Sequence, residues 1–363
     1  MVGAIIPYIR EEYGISYELS GYLISANSIG NIAMSLIASY SAILIGLKRA
    51  YMLQHALVII GLIVVTISGN PVYLLIGMAF IGFARGTISN YSNGIVNDIT
   101  KSNSSIMNLM GVFFSIGACL APYIVLLVSE NTGNWKLASY VVSIAAVVGI
   151  ILTSRMRFDN VGNKTVAAKL SGLSFFKKRK YRLMLIAMFC YYGIELSMIG
   201  WVSTYFKEAH GTTTQFAAIM STVLWVSILA GRIICSLIAN RITTAKLICA
   251  LSIGITVFMT LFISITNLPL LVASTICLGL FMAGTYSTIL ADVGPIFREF
   301  KVAFGYFVML GGLGPVIIPA IIGIVTERHS IQHGIRILAF ATVILLLISI
   351  TNVFLEKRKT KAL

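Results

Sequence analysis

Long hydrophobic stretches separated by short polar loops dominate the chain. Eleven of them are long enough to cross a bilayer as helices of about 20 residues. They are predicted at 17–40, 50–68, 71–97, 104–128, 135–154, 183–206, 214–238, 245–266, 268–291, 302–325 and 335–355. Residues 1–9 are also apolar, but at about 1.5 Å per residue they cover less than half of a bilayer. They resemble the tail of a twelfth span.

The hydrophobic pattern repeats with an offset of about 200 residues. Residues 30–38 recur as 231–239 with six of nine positions identical, and Gly117 and Pro122 recur as Gly314 and Pro319. Duplicated hydrophobic halves are typical of transporters in which the substrate binds between the repeats and access alternates. The pattern predicts an all-α membrane protein made of two six-helix bundles.

Composition agrees with a membrane protein, since 58% of the residues are hydrophobic and 11% are charged. A net charge of +15 could indicate nucleic-acid binding, so we examined where along the chain the basic residues lie. Twenty of the 27 Lys and Arg residues fall on one side of the predicted spans. This positive-inside bias predicts that the central loop and the C-terminus lie in the cytoplasm. The protein is expected in the plasma membrane. Nucleic acid is not expected as a partner.

One long basic segment, 155–182, divides the chain into bundles at 1–154 and 183–363. Within this segment, residues 175–182 are predicted to lie as an amphipathic stretch against anionic lipid head groups. A plain solvated linker is the alternative.

Several local patterns resemble one transporter family. Asn134-Trp135-Lys136 resembles a Gly-Trp-Arg pattern, Gly231-Arg232 a Gly-Arg pattern, and 311–319 a glycine- and proline-rich eleventh span. Together with the two six-span halves, they resemble the major facilitator superfamily and imply its fold, with pseudo-twofold symmetry between the bundles.

The resemblance also implies gating and mechanical roles. Arg232 and Arg241 are candidates for gating, although the loop signature containing Arg241 is degraded in both halves. Pro315 and Pro319 are expected to let the eleventh span bend and approach its neighbours.

Residues 191–201 resemble the Tyr-x-Gly-x-Glu pattern of fucose-permease-like and sodium-glucose-transporter-like members. This resemblance implies symport of a sugar or polyol with a coupling ion, either H⁺ or Na⁺. Substrates vary widely within one fold, so the substrate class is inferred by analogy.

Glu195 is the candidate proton carrier because it sits near the middle of the seventh span. A carboxylate there is costly unless it is protonated, paired or hydrated. Since burial favours the protonated acid, the group can take up a proton on one side and release it on the other. A structural carboxylate bonded to a neighbouring helix is the alternative.

Arg85, deep in the fourth span, is a second candidate because its repeat counterpart is the neutral Ala283. It is predicted either to hold a polar or anionic substrate, or to adjust the protonation of Glu195. A tie between helices of the first bundle is the alternative.

Amide side chains supply the remaining polar candidates for substrate binding. They match sugar hydroxyls because each amide donates and accepts hydrogen bonds. Helix packing is the alternative, since Asn also bonds across membrane helices. The flat rings of Tyr191 and Trp225 are further candidates, for stacking on a sugar ring. The amide candidates are Asn90, Asn93 and Asn97 on one stripe of the fourth span, and Asn27 and Asn31 in the second.

The repeat also suggests a missing start. Tyr8–Gly14 matches Tyr205–Gly211 with an offset of 197, which places the counterpart of Glu195 just before Met1. We therefore expect the natural product to begin roughly 15 to 30 residues upstream, enough to complete a span of about 20 residues.

The leading hypothesis is a monomeric secondary transporter that moves a small hydroxylated solute with a proton. A proton-coupled exporter of drugs or organic anions and a non-transporting membrane sensor remain alternatives. An enzyme is not expected, because no nucleophile and base pair, metal ligand set or phosphate loop stands out. The five cysteines lie in apolar spans without paired spacing, so neither a metal, another cofactor nor a disulfide is expected.

Overall fold

The computed structural model describes residues 2–99, 104–156, 173–238, 241–300 and 303–361, and within these ranges the regular structure is helical. The chain forms two compact units, Met1–Ala167 and Ala168–Leu363. Among its described residues, the first unit contains six helices. They are α1 (Val2–Tyr13), α2 (Tyr17–Ile45), α3 (Leu47–Ile67), α4 (Pro71–Ile99), α5 (Ser104–Thr132) and α6 (Lys136–Arg155).

The second unit opens with a short 3-10 helix, Leu173–Lys177, and continues with eight α-helices. The long helix α7 lies at its centre, and 61% of the residues in its most apolar 18-residue segment are buried. The helices are α7 (Arg179–His210), α8 (Thr214–Ile238), α9 (Thr244–Ser264), α10 (Leu268–Met282), α11 (Thr285–Glu299), α12 (Ala303–Gly311), α13 (Gly314–Arg328) and α14 (Ile331–Lys361).

Each of the eleven predicted spans contains a helix, and ten helical segments in the described ranges are long and apolar enough to cross a membrane. The predicted spans at 268–291 and 302–325 each contain two helices separated by a two-residue break. The α10–α11 break lies at Ala283 and Gly284, where a Cβ on Gly284 would sit 2.1 Å from Cys235 Sγ. The second break precedes Pro315, which has no N–H to continue the hydrogen bonds of α12.

The sequence repeat is visible in the way helices begin and end. Gly14 and Gly211, 197 residues apart, both follow a helix and both adopt a φ of 62°, a left-handed conformation that favours glycine. Two residues later, Ser16 accepts a hydrogen bond from Leu19 N at 3.0 Å, and Thr213 accepts one from Phe216 N at 3.2 Å. The two halves thus turn from their first to their second helix by the same caps.

The repeat is visible again where helices cross. In the first unit, a Cβ on Gly30 would lie 2.2 Å from the Ala79 carbonyl oxygen of α4. In the second, a Cβ on Gly231 would lie 2.3 Å from the Leu280 carbonyl oxygen of α10. Backbones approach this closely only where a residue lacks a side chain, as at other membrane helix crossings.

The segment before α7 differs from the prediction of a lipid-facing or solvated stretch. Phe175 is fully buried, and its ring packs at 5.1 Å from Tyr181, 6.0 Å from Phe300 and 5.8 Å from Tyr306. Helix α7 already begins at Arg179. The aromatic residues therefore bury themselves in the second unit rather than face head groups, because that removes more apolar surface from water.

Candidate functional site

Glu195 lies within α7 and is buried, with 6% of its surface exposed. One turn earlier on the same helix, Tyr191 is fully buried and donates a hydrogen bond to the Met282 carbonyl oxygen at 2.7 Å. Both Glu195 and the half-buried Arg232 of α8 act electrostatically on the Tyr191 hydroxyl. The structure therefore brings three of the predicted residues, Glu195, Tyr191 and Arg232, into one cluster inside the second unit.

Two tyrosines that the sequence analysis did not single out belong to the same cluster. The rings of Tyr192 on α7 and Tyr286 on α11 pack at a centroid distance of 5.7 Å. Tyr286 also lies within electrostatic range of Glu195. Tyr192 stands next to the recognised Tyr191, but nothing in the sequence pairs it with Tyr286, which lies beyond the helix break at Gly284.

The backbone beside Glu195 is fixed by an exceptionally close helix crossing. A Cβ on Gly314 of α13 would lie 2.0 Å from the Phe189 carbonyl oxygen, and a Cβ on Gly193 would lie 2.4 Å from Ile318 Cδ1. Pro315 and Pro319 follow on α13, and both are buried. This part of α13 thus packs directly on the segment of α7 that carries Glu195. The mechanical role of the two prolines stays a prediction.

Arg85 is engaged within the first unit. With the Asn31 amide oriented to satisfy both groups, its Oδ1 accepts from Arg85 Nη2 at 2.7 Å and from Nε at 3.2 Å. Arg85 on α4 and Asn31 on α2 thereby tie two helices together. This geometry is that of the predicted inter-helix tie, and it leaves a substrate role of the pair untested.

Asn27 also links α2 to α4. It is 4% exposed, and its Nδ2 donates to the Met78 carbonyl oxygen at 3.2 Å. Gly82 allows this approach, because a Cβ there would lie 1.9 Å from the Asn27 carbonyl oxygen. The contact is of the kind that packs membrane helices together.

The other candidates are placed as follows. The side chains of Asn90, Asn93 and Asn97 lie outside the described residues. Trp225 on α8 is half-buried, whereas Arg241 is exposed after the end of α8. Their predicted roles stay predictions.

A second buried carboxylate, Asp292 on α11, was missed by the sequence analysis. It is 3% exposed and pairs with Lys180 Nζ of α7 at 2.8 Å. It also accepts hydrogen bonds from Thr244 Oγ1 at 2.6 Å and from Asn352 Nδ2 at 2.9 Å. The tenth span was predicted to end at residue 291, which assigned Asp292 to a loop. An Asp directly after a long apolar stretch was the available signal.

Within the described ranges, no group of three or more His, Cys, Asp or Glu side chains is placed to hold a metal ion. All five cysteines are free. The side chains of the Glu195 cluster, a carboxylate, the Arg232 guanidinium and tyrosine hydroxyls, can exchange protons, pair as ions and form hydrogen bonds.

Two relatives share modest sequence identity with the chain over most of its length. It is 22% identical to the protein TsgA homolog of Buchnera aphidicola subsp. Baizongia pistaciae, over 93% of this chain and 87% of that protein. It is also 22% identical to the glucose/mannose transporter GlcP of Bacillus subtilis (strain 168), over 96% of this chain and 89% of that protein.

Solved structures show the same fold. A mutant of the nucleoside transporter NupG superposes with a TM-score of 0.80 at 16% identity, covering 97% of this chain and 94% of that one. A D-xylose-proton symporter gives 0.74 at 13% identity, with 97% and 91% covered. FucP in its outward conformation gives 0.55 at 19% identity, with 93% and 97% covered.

The family model of the Major Facilitator Superfamily matches residues 1–294 of the chain. Its members are transporters rather than enzymes. The all-helical fold, the repeated halves and this match agree with the resemblance inferred from the sequence. The chain belongs to the Major Facilitator Superfamily.

Proposed function

We propose that this transporter couples the movement of a neutral monosaccharide to that of a proton, with Glu195 as the proton carrier. The observation that carries the proposal is the burial of Glu195, 6% exposed, within the long helix α7. An ionisable side chain at such a position is costly, so it is retained for a function more often than for packing.

The residues around Glu195 suggest how its two charge states are both tolerated. In the charged state, the carboxylate can accept hydrogen bonds from tyrosine hydroxyls of the cluster, and Arg232 acts electrostatically on one of these, that of Tyr191. In the protonated state, burial no longer carries the desolvation cost of an ion. A group balanced in this way can change its proton occupancy as water reaches it from one side and then the other.

The relatives support a sugar as the solute. GlcP is a glucose/mannose transporter by name, and one of the structures with this fold is a D-xylose-proton symporter. At these low sequence identities, the similarity to solved structures shows the fold and not the substrate. The substrate is therefore our inference.

The proposal predicts that Glu195→Gln abolishes concentrative uptake and spares exchange. Purified protein in sealed liposomes is given a pH gradient and labelled D-glucose or D-mannose. We expect the wild type to accumulate sugar and the variant only to exchange it across the membrane, because the amide has the shape of the protonated acid but cannot release a proton.

Glu208→Gln is the matched control, since Glu208 lies on the same helix at its exposed end. It should leave both activities intact. Unchanged accumulation by Glu195→Gln would remove the proton role. Proton movement of the opposite sign on addition of an organic anion would favour the exporter, and sugar binding without flux would favour a sensor.

A further inference from the structure

A cavity of about 570 Å³ opens on the predicted outer face of the second unit. It lies between the end of α7, residues 263–266 after α9, and the first turns of α14. Its volume falls within the range of about 300–1,000 Å³ found for small-molecule sites. The polar side chains at its wall include His210, Gln332 and Arg336.

The wall of the cavity is cationic and rich in donors. Arg336 is exposed and brings a guanidinium, while no carboxylate lies among the described residues that line the cavity. His210 is held in place by its ring packing on Tyr205 at 5.2 Å, and its Nε2 atom is buried without a hydrogen-bond partner. This nitrogen is therefore available to bond to a ligand in the cavity.

The corresponding region of the first unit provides its own anion. There, Glu12 pairs with Lys136 at 2.5 Å and accepts a hydrogen bond from Trp135 Nε1. With the repeat offset of 197 residues, Glu12 corresponds to Ala209. The second unit thus has an alanine where the first unit has the carboxylate that pairs with its basic residue.

The surface that continues from Arg336 is apolar. Phe340, Val343 and Leu347 follow it on one face of α14 at helical spacing and are 73%, 46% and 59% exposed. In a membrane protein such a face contacts acyl chains, and an arginine at its end lies at head-group level. The cavity and the apolar face together match the two parts of a phospholipid.

We propose that this cavity is a binding site for an anionic phospholipid of the predicted outer leaflet. Arg336 and His210 donate to the lipid phosphate, and the acyl chains lie along Phe340, Val343 and Leu347. Arginine suits this task because its planar donors match phosphate oxygens. The site is independent of Glu195 and of the transported solute.

The test counts lipids bound to the full chain by native mass spectrometry after titration with phosphatidylglycerol in detergent. Arg336→Gln should weaken the tightest binding step about five-fold or more, as expected for the loss of one cation near a head group. Arg328→Gln is the matched control, since Arg328 is exposed on the same predicted face but lies outside the cavity. It should bind like the wild type.

Gln332→Glu provides a second variant that keeps Arg336. It places a carboxylate four residues before the arginine on α14, where the two charges can pair, and it should weaken lipid binding as Arg336→Gln does. Both positions are exposed, so thermal unfolding should be unchanged. Equal phosphatidylglycerol binding by the wild type and both variants would overturn the proposal, as would displacement of the lipid by inorganic phosphate at equal concentration.

Discussion

At the scale of single residues, the most constrained position beside the Glu195 cluster is Gly314. We predict that Gly314→Ala destabilises the protein by about 1–3 kcal/mol, the usual cost of overpacking. The added Cβ would lie 2.0 Å from the Phe189 carbonyl oxygen, and a backbone atom of a packed helix cannot move aside as a side chain can. The apparent midpoint of thermal unfolding in detergent measures the effect.

The repeat supplies the control for this prediction. Gly117 on α5 is the sequence counterpart of Gly314, but a Cβ there would meet no heavy atom within 4 Å. Gly117→Ala should leave the midpoint unchanged or raise it slightly, because alanine favours the helix over glycine. Equal midpoints for the two variants would contradict the close crossing of α7 and α13.

Residue roles were only partly predictable, because the sequence gives the type of a side chain but not its neighbours. Glu195 stood out as an acid inside an apolar stretch. The engagement of Arg85 by Asn31 could not be read from sequence, since the two residues are far apart in the chain and meet only when α2 packs on α4. The loop assignment of Asp292 failed for a related reason, because hydropathy does not report where a helix continues past its apolar part.

At the scale of elements, Asp292 joins four helices of the second unit through Lys180, Thr244 and Asn352. Asp292→Asn should lower the free energy of unfolding by about 1–3 kcal/mol, since it weakens hydrogen bonds to a buried charged group. Glu299→Gln is the control, because Glu299 pairs with Lys178 at the surface with 54% of its side chain exposed. Its loss should cost less than about 1 kcal/mol.

The measurement for this prediction is chemical or thermal unfolding of both variants under the same detergent conditions. If Asp292→Asn unfolds no earlier than Glu299→Gln, the four-helix junction contributes nothing to stability. A double-mutant cycle that combines Asp292→Asn with Lys180→Met measures the stabilisation by the ion pair separately from that by the two hydrogen bonds.

Helix positions were well predicted because a bilayer demands about 20 apolar residues for each crossing. A bend in the eleventh span was expected from its prolines, whereas the break at Gly284 was not, because a glycine inside an apolar stretch leaves its mean hydropathy high. Phe175 shows the opposite error. Its charged neighbours suggested a lipid surface, yet the ring is buried among aromatic residues of distant segments.

At the scale of the whole molecule, the repeat organises both the sequence and each unit of the structure. Equivalent caps follow Gly14 and Gly211, and equivalent close crossings occur at Gly30 and Gly231. The functional groups break this symmetry. Arg85 has the neutral Ala283 as its repeat counterpart, as expected if the two halves share a scaffold and divide the chemistry between them.

The central claim is that solute and proton move together through Glu195. The most direct test records the pH inside sealed liposomes containing the protein when a monosaccharide is added outside without any imposed gradient. We predict immediate internal acidification by the wild type and none by Glu195→Gln. Monosaccharide entry into wild-type liposomes with no change in internal pH would contradict the account.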